Sequence, residues 1–211
     1  MKIGILIDSF RVPLREAMRK AAAMQVSGIQ CYANAEILNG DRAELRRYAK
    51  ELGLEISALV AELGGYGFQD EKENPGKLER MKQVFDAAGE LGAKVVTGHI
   101  GVLPRDPAHP RYGVMLNALT ALGHAAKERG IVFGIETGPE DPEQLAEFLK
   151  KTEGGVGVNL DPANLVMVRN VSPVRAVEIL RPWIVYTHAK DGLHHRDCDA
   201  EQVYDAFARG G

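Results

Sequence analysis

The sequence predicts an α/β fold, a parallel (β/α)8 barrel of TIM type that lacks its eighth strand, and three observations lead to it. Short apolar runs rich in Val and Ile recur seven times, helical patterns with recognisable ends lie between them, and the runs return about every 25 residues. The runs cover residues 3–7, 28–32, 54–60, 93–97, 131–135, 156–160 and 183–187. Runs this short and this apolar read as strands buried on both faces, which is the condition of a parallel sheet covered by helices.

The helices between them carry their own signals. Asp41 with Glu44 three residues on, Asp141 before Pro142 and Ser172 before Pro173 are starts, because a short polar side chain satisfies the free N–H groups of a first turn and proline is tolerated just inside it. Gly53, Gly92 and Gly130 are stops, each set directly before the next strand. Leu78, Met81, Phe85 and Ala88 share one face by their spacing, as do Leu116, Leu119, Leu122 and Ala126.

Successive strand starts lie 25, 26, 39, 38, 25 and 27 residues apart. The excess in the two long intervals falls at residues 63–76 and 101–113, directly after strands, and so in the βα loops where barrels of this type keep their active sites. Alternating strands and helices mean a parallel sheet, closed or doubly wound. No Gly-x-Gly-x-x-Gly follows the first strand, where Ile7-Asp8-Ser9-Phe10-Arg11 stands, so a dinucleotide-binding sheet loses ground. A complete barrel runs to about 250 residues, and this sequence reaches Gly210-Gly211 about where an eighth strand would begin. The expectation is one domain over residues 1–211, C-terminally incomplete, with a seven-stranded open barrel as the alternative.

Composition narrows the partners. Lys and Arg number 26 against 29 Asp and Glu, with a pI near 6.1, so nothing favours nucleic acid or an anionic membrane. No leader or membrane span is evident, which predicts a cytoplasmic protein with a small neutral or acidic substrate; assembly as a homo-oligomer is compatible with this. Cys31 and Cys198 are too far apart for a thiolate zinc motif and are expected to be free thiols.

Three residues of metal-ligand type close three successive strands: Glu136, Asp161 and His188. Side chains alternate along a strand, so Val132, Gly134 and Glu136 share a face, as do Gly157, Asn159 and Asp161, and Ile184, Tyr186 and His188. One inward face would then carry all three ligands to one rim, with Gly134 and Gly157 leaving room in the barrel axis. Two carboxylates and an imidazole suit one divalent ion, Mn, Mg, Co or Zn, completed by water or substrate oxygens. Each residue alone has an ordinary explanation: Asp161-Pro162 starts a turn by itself and Glu136-Thr137-Gly138-Pro139 is another turn. Their coincidence at adjacent strand ends favours the metal. His99, at the end of the fourth strand, is a substrate contact, a further ligand, or a histidine bonded beneath a long loop. Lys190 and Asp191 follow His188 and read equally as surface charge, while His194 and His195 lie in a polar loop without a specific role. The glycines of residues 62–68 permit close approach to a ligand but come without the lysine of a Walker loop.

Taken together, Glu136-Thr137-Gly138-Pro139-Glu140, the run from Gly157 through Asp161 to Asn164, His188-Ala189-Lys190-Asp191-Gly192 and Leu63-Gly64-Gly65 resemble the xylose isomerase-like superfamily of sugar phosphate isomerases and epimerases. The resemblance covers essentially the whole chain. It implies a metal held by Glu136, Asp161 and His188 plus a glutamate of an eighth strand, which has no counterpart here. It implies a sugar or polyol substrate whose α-proton is removed to give an enediolate, with Glu136 as base. His99 and Lys190 would orient or protonate substrate oxygens, and Asn164 would bind a hydroxyl. An inosose dehydratase-like lyase shares the first step and is the alternative. An abasic-site endonuclease is disfavoured by the missing histidines and the acidic charge, and a non-catalytic sugar-binding barrel is the rival outside enzymes.

Overall fold

In a computed structural model, residues 2–196 and 199–208 are described, so Cys198 lies outside the described residues. Seven parallel strands pair in chain order: β1 (Gly4–Leu6), β2 (Gly28–Tyr32), β3 (Glu55–Val60), β4 (Val95–Gly98), β5 (Val132–Glu136), β6 (Val156–Leu160) and β7 (Ile184–Thr187). The helices are α1 (Leu14–Ala23), α2 (Ala35–Asn39), α3 (Arg42–Glu51), α4 (Asn74–Leu91), α5 (Pro110–Glu128), α6 (Pro142–Leu149), α7 (Pro162–Arg169), α8 (Pro173–Leu180) and α9 (Ala200–Ala208). Among the described residues no helix is long and apolar enough to cross a membrane.

Among the described residues the sheet curls into a seven-stranded barrel without an eighth strand, as predicted. Two bonds across the interior record the curl: Ser57 Oγ of β3 meets Tyr186 OH of β7 at 2.7 Å, and Gln30 Oε1 of β2 meets His188 Nε2 just past β7 at 3.0 Å. Ile29, Leu59, Val96, Phe133, Ile135 and Val158 face outward into the main core, where α4 and α5 contribute Met81, Phe85, Leu119 and Leu122. Those two helices are the ones whose apolar spacing predicted them. The stops fall as expected, with Gly53, Gly92 and Gly130 all at positive φ (73°, 87° and 64°).

The structure differs from expectation in several places. The intervals β2–β3 and β6–β7 each hold two helices where one was expected, α2 with α3 and α7 with α8. Asp41 caps α3 by accepting from Glu44 N at 2.9 Å, but Asp141 and Ser172 start helices without side-chain caps. Asp141 instead pairs with Arg105 at 2.9 Å and Arg169 at 3.2 Å, and two guanidinium groups outcompete a neutral N–H for a carboxylate.

The parity expected of β7 also fails. Val158 pairs with Ile184 and Asn159 with Tyr186, so Val185 is an extra residue in a β-bulge. Ile184 therefore packs on the outer core, while Tyr186 and His188 still face inward. The predicted space above Gly134 and Gly157 is taken by Val185: a Cβ on Gly157 would lie 2.8 Å from its Cγ1.

The two long βα loops lock against each other. Gly67 (φ 62°) approaches so closely that a Cβ there would lie 2.2 Å from the Ile100 carbonyl carbon, and Phe68 N donates to Ile100 O at 2.9 Å. Only glycine satisfies both the left-handed backbone and the contact.

Candidate active site

At the C-terminal rim of β5, β6 and β7, Glu136, Asp161 and His188 each offer one ligand atom, and these atoms all lie within 4.8 Å of one another. Glu136 and His188 line a cavity of about 550 Å3, with Asp161 buried behind them, and its wall also includes His99, Asn164 and Lys190, the three residues expected to contact substrate. The long loop after β3 contributes Leu63, Gly64, Gly65 and Gly67 to the same cavity.

Backbone bonding fixes the rim. Thr137 N donates to Asn159 O at 3.1 Å, Asp161 N to Thr137 Oγ1 at 2.8 Å and His188 N to Leu160 O at 2.9 Å, tying the three strand ends in register. Thr137 Oγ1 in turn donates to Asp161 O at 3.1 Å. Asp161 is fully buried and also starts α7, its Oδ1 accepting from Asn164 N at 3.1 Å. The turn reading of Asp161-Pro162 thus uses one carboxylate oxygen and leaves the other for the site.

The second oxygen faces the site. Asp161 Oδ2 lies 3.1 Å from His188 Nδ1, and Glu136 Oε1 lies 3.5 Å from the same nitrogen. The Lys190 ammonium bonds Asp161 Oδ2 and stands 3.6 Å from Glu136 Oε1. Asn164 donates its amide to Glu136 Oε1 at 3.2 Å and to Thr137 O at 3.1 Å, which holds the carboxylate in place. His99 is edge-on to Tyr204 of α9, with ring centroids 6.3 Å apart, and the Tyr204 hydroxyl accepts from Gly101 N at 3.2 Å.

Electrostatics follow from this packing. Burial works to raise the Asp161 carboxyl, but bonds from His188, Lys190 and the Asn164 N–H outweigh it and bring it down to about 2. For Glu136, burial again opposes ionisation, and the His188 bond with the charges of His99, His188 and Lys190 wins, leaving the carboxyl below its ordinary range. Burial works to lower His188, yet Asp161 and Glu136 lift it to about 9. Both carboxylates are therefore ionised at neutral pH.

Two polar residues to which the sequence reading gave no role belong here. Gln30, 2% exposed within β2, bonds His188 from across the barrel. Glu140, four residues past Glu136 and fully enclosed, is pushed up to about 7 by burial, which the N–H groups of Glu140 and Gly138 only partly offset. Its Oε2 has no hydrogen-bond partner among the described residues. Cys31 is buried and free, as expected of it, and burial pushes its thiol up to about 12.

The donor set fits one divalent cation. Two carboxylate oxygens and an imidazole nitrogen within 4.8 Å of one another match the spread of ligands bound at about 2.0–2.6 Å from a common centre. Two ionised carboxylates drawn to one ammonium show the site's preference for positive charge.

Comparison with known proteins agrees with this architecture. By sequence, no curated protein matches the chain. Among solved structures, a xylose isomerase domain protein from Planctomyces limnophilus superposes with a TM-score of 0.80 at 21% identity, over 98% of this chain and 77% of that one. A 3-keto-D-glucoside 4-epimerase from E. coli gives 0.76 at 17% identity, with 100% of both chains covered. A probable 3-DHS dehydratase from Bacillus anthracis gives 0.74 at 18% identity, over 89% of this chain and 72% of that one. At these identities the likeness is one of fold. The family model for the xylose isomerase-like TIM barrel matches residues 18–205, and the chain belongs to that family.

Proposed function

We propose that this protein is a divalent-metal-dependent isomerase or epimerase of a sugar or sugar phosphate, acting by removal of a proton α to a carbonyl. The observation that carries the reading is the convergence of Glu136, Asp161 and His188 on one point at the mouth of a cavity sized for a small polyol. A bound divalent ion would polarise adjacent substrate oxygens and so acidify the α-proton. Glu136 takes that proton. Its lowered proton affinity keeps it ionised, as either role requires, and Asn164 holds its Oε1 while the reaction proceeds. Lys190, already within reach of both carboxylates, and His99 on the cavity wall orient the substrate oxygens and return a proton to the resulting enediolate.

The test is solvent exchange. Protein loaded with Mn2+ or Co2+ and mixed with a panel of ketoses, ketose phosphates and inososes in deuterated water should exchange the α-proton of at least one, detected by mass spectrometry or NMR. Glu136→Gln should lose exchange more completely than metal, because the amide keeps an oxygen for coordination but cannot accept the proton. An absence of exchange across the panel by metal-loaded protein refutes the reading. Loss of water from an exchanging substrate assigns the lyase alternative, which shares the first step and differs in what leaves.

A further inference from the structure

The geometry points to Gln30 as a positioning residue that sets which nitrogen of His188 is offered to the ion, an inference that rests on the metal reading above. Gln30 lies in β2 and His188 just after β7, 158 residues apart, and only the curl of the sheet brings them together. The Gln30 amide is 2% exposed, an environment in which an unpaired amide is costly, so its position needs partners. It has two. Nε2 donates to Thr97 Oγ1 at 3.0 Å, and Oε1 lies 3.0 Å from His188 Nε2.

This sets the ring's chemistry. His188 Nδ1 is the nitrogen turned toward Asp161 and Glu136, at 3.1 and 3.5 Å. If Nδ1 gives its lone pair to an ion, the neutral ring carries its hydrogen on Nε2, and that N–H needs an acceptor; Gln30 Oε1 is the atom in place. The Thr97 bond holds the amide with its oxygen toward the histidine. Asn159 Nδ2 at 3.4 Å from the ring and Tyr186, edge-on at 6.1 Å, complete the enclosure. Without Gln30 the ring is free to carry its hydrogen on the nitrogen facing the carboxylates, which is useless to a metal.

Cobalt titration of the full chain tests this, with visible absorption reporting affinity and ligand field together. Gln30→Met keeps the side chain's length and removes the acceptor; it should raise the Co2+ dissociation constant about ten- to a hundredfold and shift the absorption band. Gln30→Glu restores a stronger acceptor and should bind at least as tightly as the wild type. In zinc-loaded wild-type protein, 15N spectra should place the His188 hydrogen on Nε2. Wild-type affinity and spectrum in Gln30→Met overturn the inference while leaving the metal reading intact. If Gln30→Met does not fold, Gln30→Glu decides alone: tightened binding supports the positioning role and weakened binding overturns it. Wild-type protein that takes up no cobalt overturns the metal reading and this inference with it.

Discussion

Replacing Glu140 by Gln should stabilise the metal-free protein above neutral pH, with an effect that shrinks as pH falls and vanishes below about pH 4.5. Burial holds the Glu140 carboxyl near 7 against an ordinary value of 4.5. At 1.36 kcal/mol per pKa unit, the folded state disfavours the ionised carboxylate by about 3 kcal/mol relative to the unfolded chain. Because the folded value is the raised one, this contribution to stability is fully present below about pH 4.5 and is lost as pH rises through about 7. The neutral amide of Gln has nearly the shape of the protonated acid and never ionises. The oxygen that accepts from Gly138 and Glu140 N–H is kept, and the amide nitrogen takes the place of Oε2, which has no partner to lose.

The assay is urea unfolding of both proteins at pH 5 and pH 8, followed by circular dichroism. The variant should exceed the wild type by less than about 1 kcal/mol at pH 5, where the unfolded carboxyl has begun to ionise, and by about 3 kcal/mol at pH 8, the latter equivalent to roughly 6–12 °C in melting temperature for a chain of this size. Taking the difference between variant and wild type removes His188, whose raised value of about 9 makes both proteins lose stability between about pH 6.5 and 9. A difference that stays constant from pH 5 to pH 8 would refute the burial argument, since it would mean that the carboxyl ionises in the folded protein as freely as in the unfolded chain.

Asp161→Asn keeps an oxygen for Asn164 N and so keeps the start of α7, but it removes the charge that faces His188; Co2+ affinity should fall at least tenfold, and the His188 titration in metal-free protein, read by NMR, should move down from about 9. A titration that stays in place would show that Glu136 alone holds the imidazolium. Gly157→Ala sets a methyl group 2.7 Å from Trp183 O and 2.8 Å from Val185 Cγ1; with backbone on one side the clash cannot be relieved by rotamer change, and a loss of about 1–3 kcal/mol in unfolding free energy is expected. Unaltered stability would mean that β7 shifts freely at its bulge.

The parts of this molecule that were legible in the sequence are those set by local pattern. Strand runs, glycine stops and helical faces depend on neighbours a few residues away, and Leu119, Leu122, Met81 and Phe85 lie in the core where their spacing puts them. Glu136, Asp161 and His188 could be singled out because each is a ligand-type side chain closing an apolar strand, and a barrel brings adjacent strand ends together whatever its finer geometry. Gln30 could not, because a single amide inside Gly28-Ile29-Gln30-Cys31-Tyr32 has no local partner and acquires one only when β2 curls round to face β7. Glu140 was hidden for a related reason: in a turn sequence a carboxylate reads as solvated, and its enclosure is a tertiary fact. Asp141 shows the opposite failure, a correct helix start whose side chain was drawn away by Arg105 and Arg169.

The bulges explain how the site survives a break in strand periodicity. Strict alternation in β7 would place Ile184, Tyr186 and His188 on one face, and Ile184 would then leave the outer core for the polar interior. One extra residue, Val185, resolves the conflict: Ile184 pairs with Val158 on the core side, and Tyr186 pairs with Asn159 on the inner side. The same device occurs across the barrel in β3, where Ile56 pairs with Ile29 and Ala58 with Gln30, leaving Ser57 extra. The two bulged segments meet, since Ser57 Oγ bonds Tyr186 OH at 2.7 Å. A one-residue change of register inverts every side chain beyond it, so removing either bulge would turn the rim residues of that strand away from the cavity or its lower residues away from the core. The extra residues thus let the same short strands serve an apolar shell at one end and cavity-lining side chains at the other, Val60 and Ala61 beyond the bulge of β3 and His188 beyond that of β7.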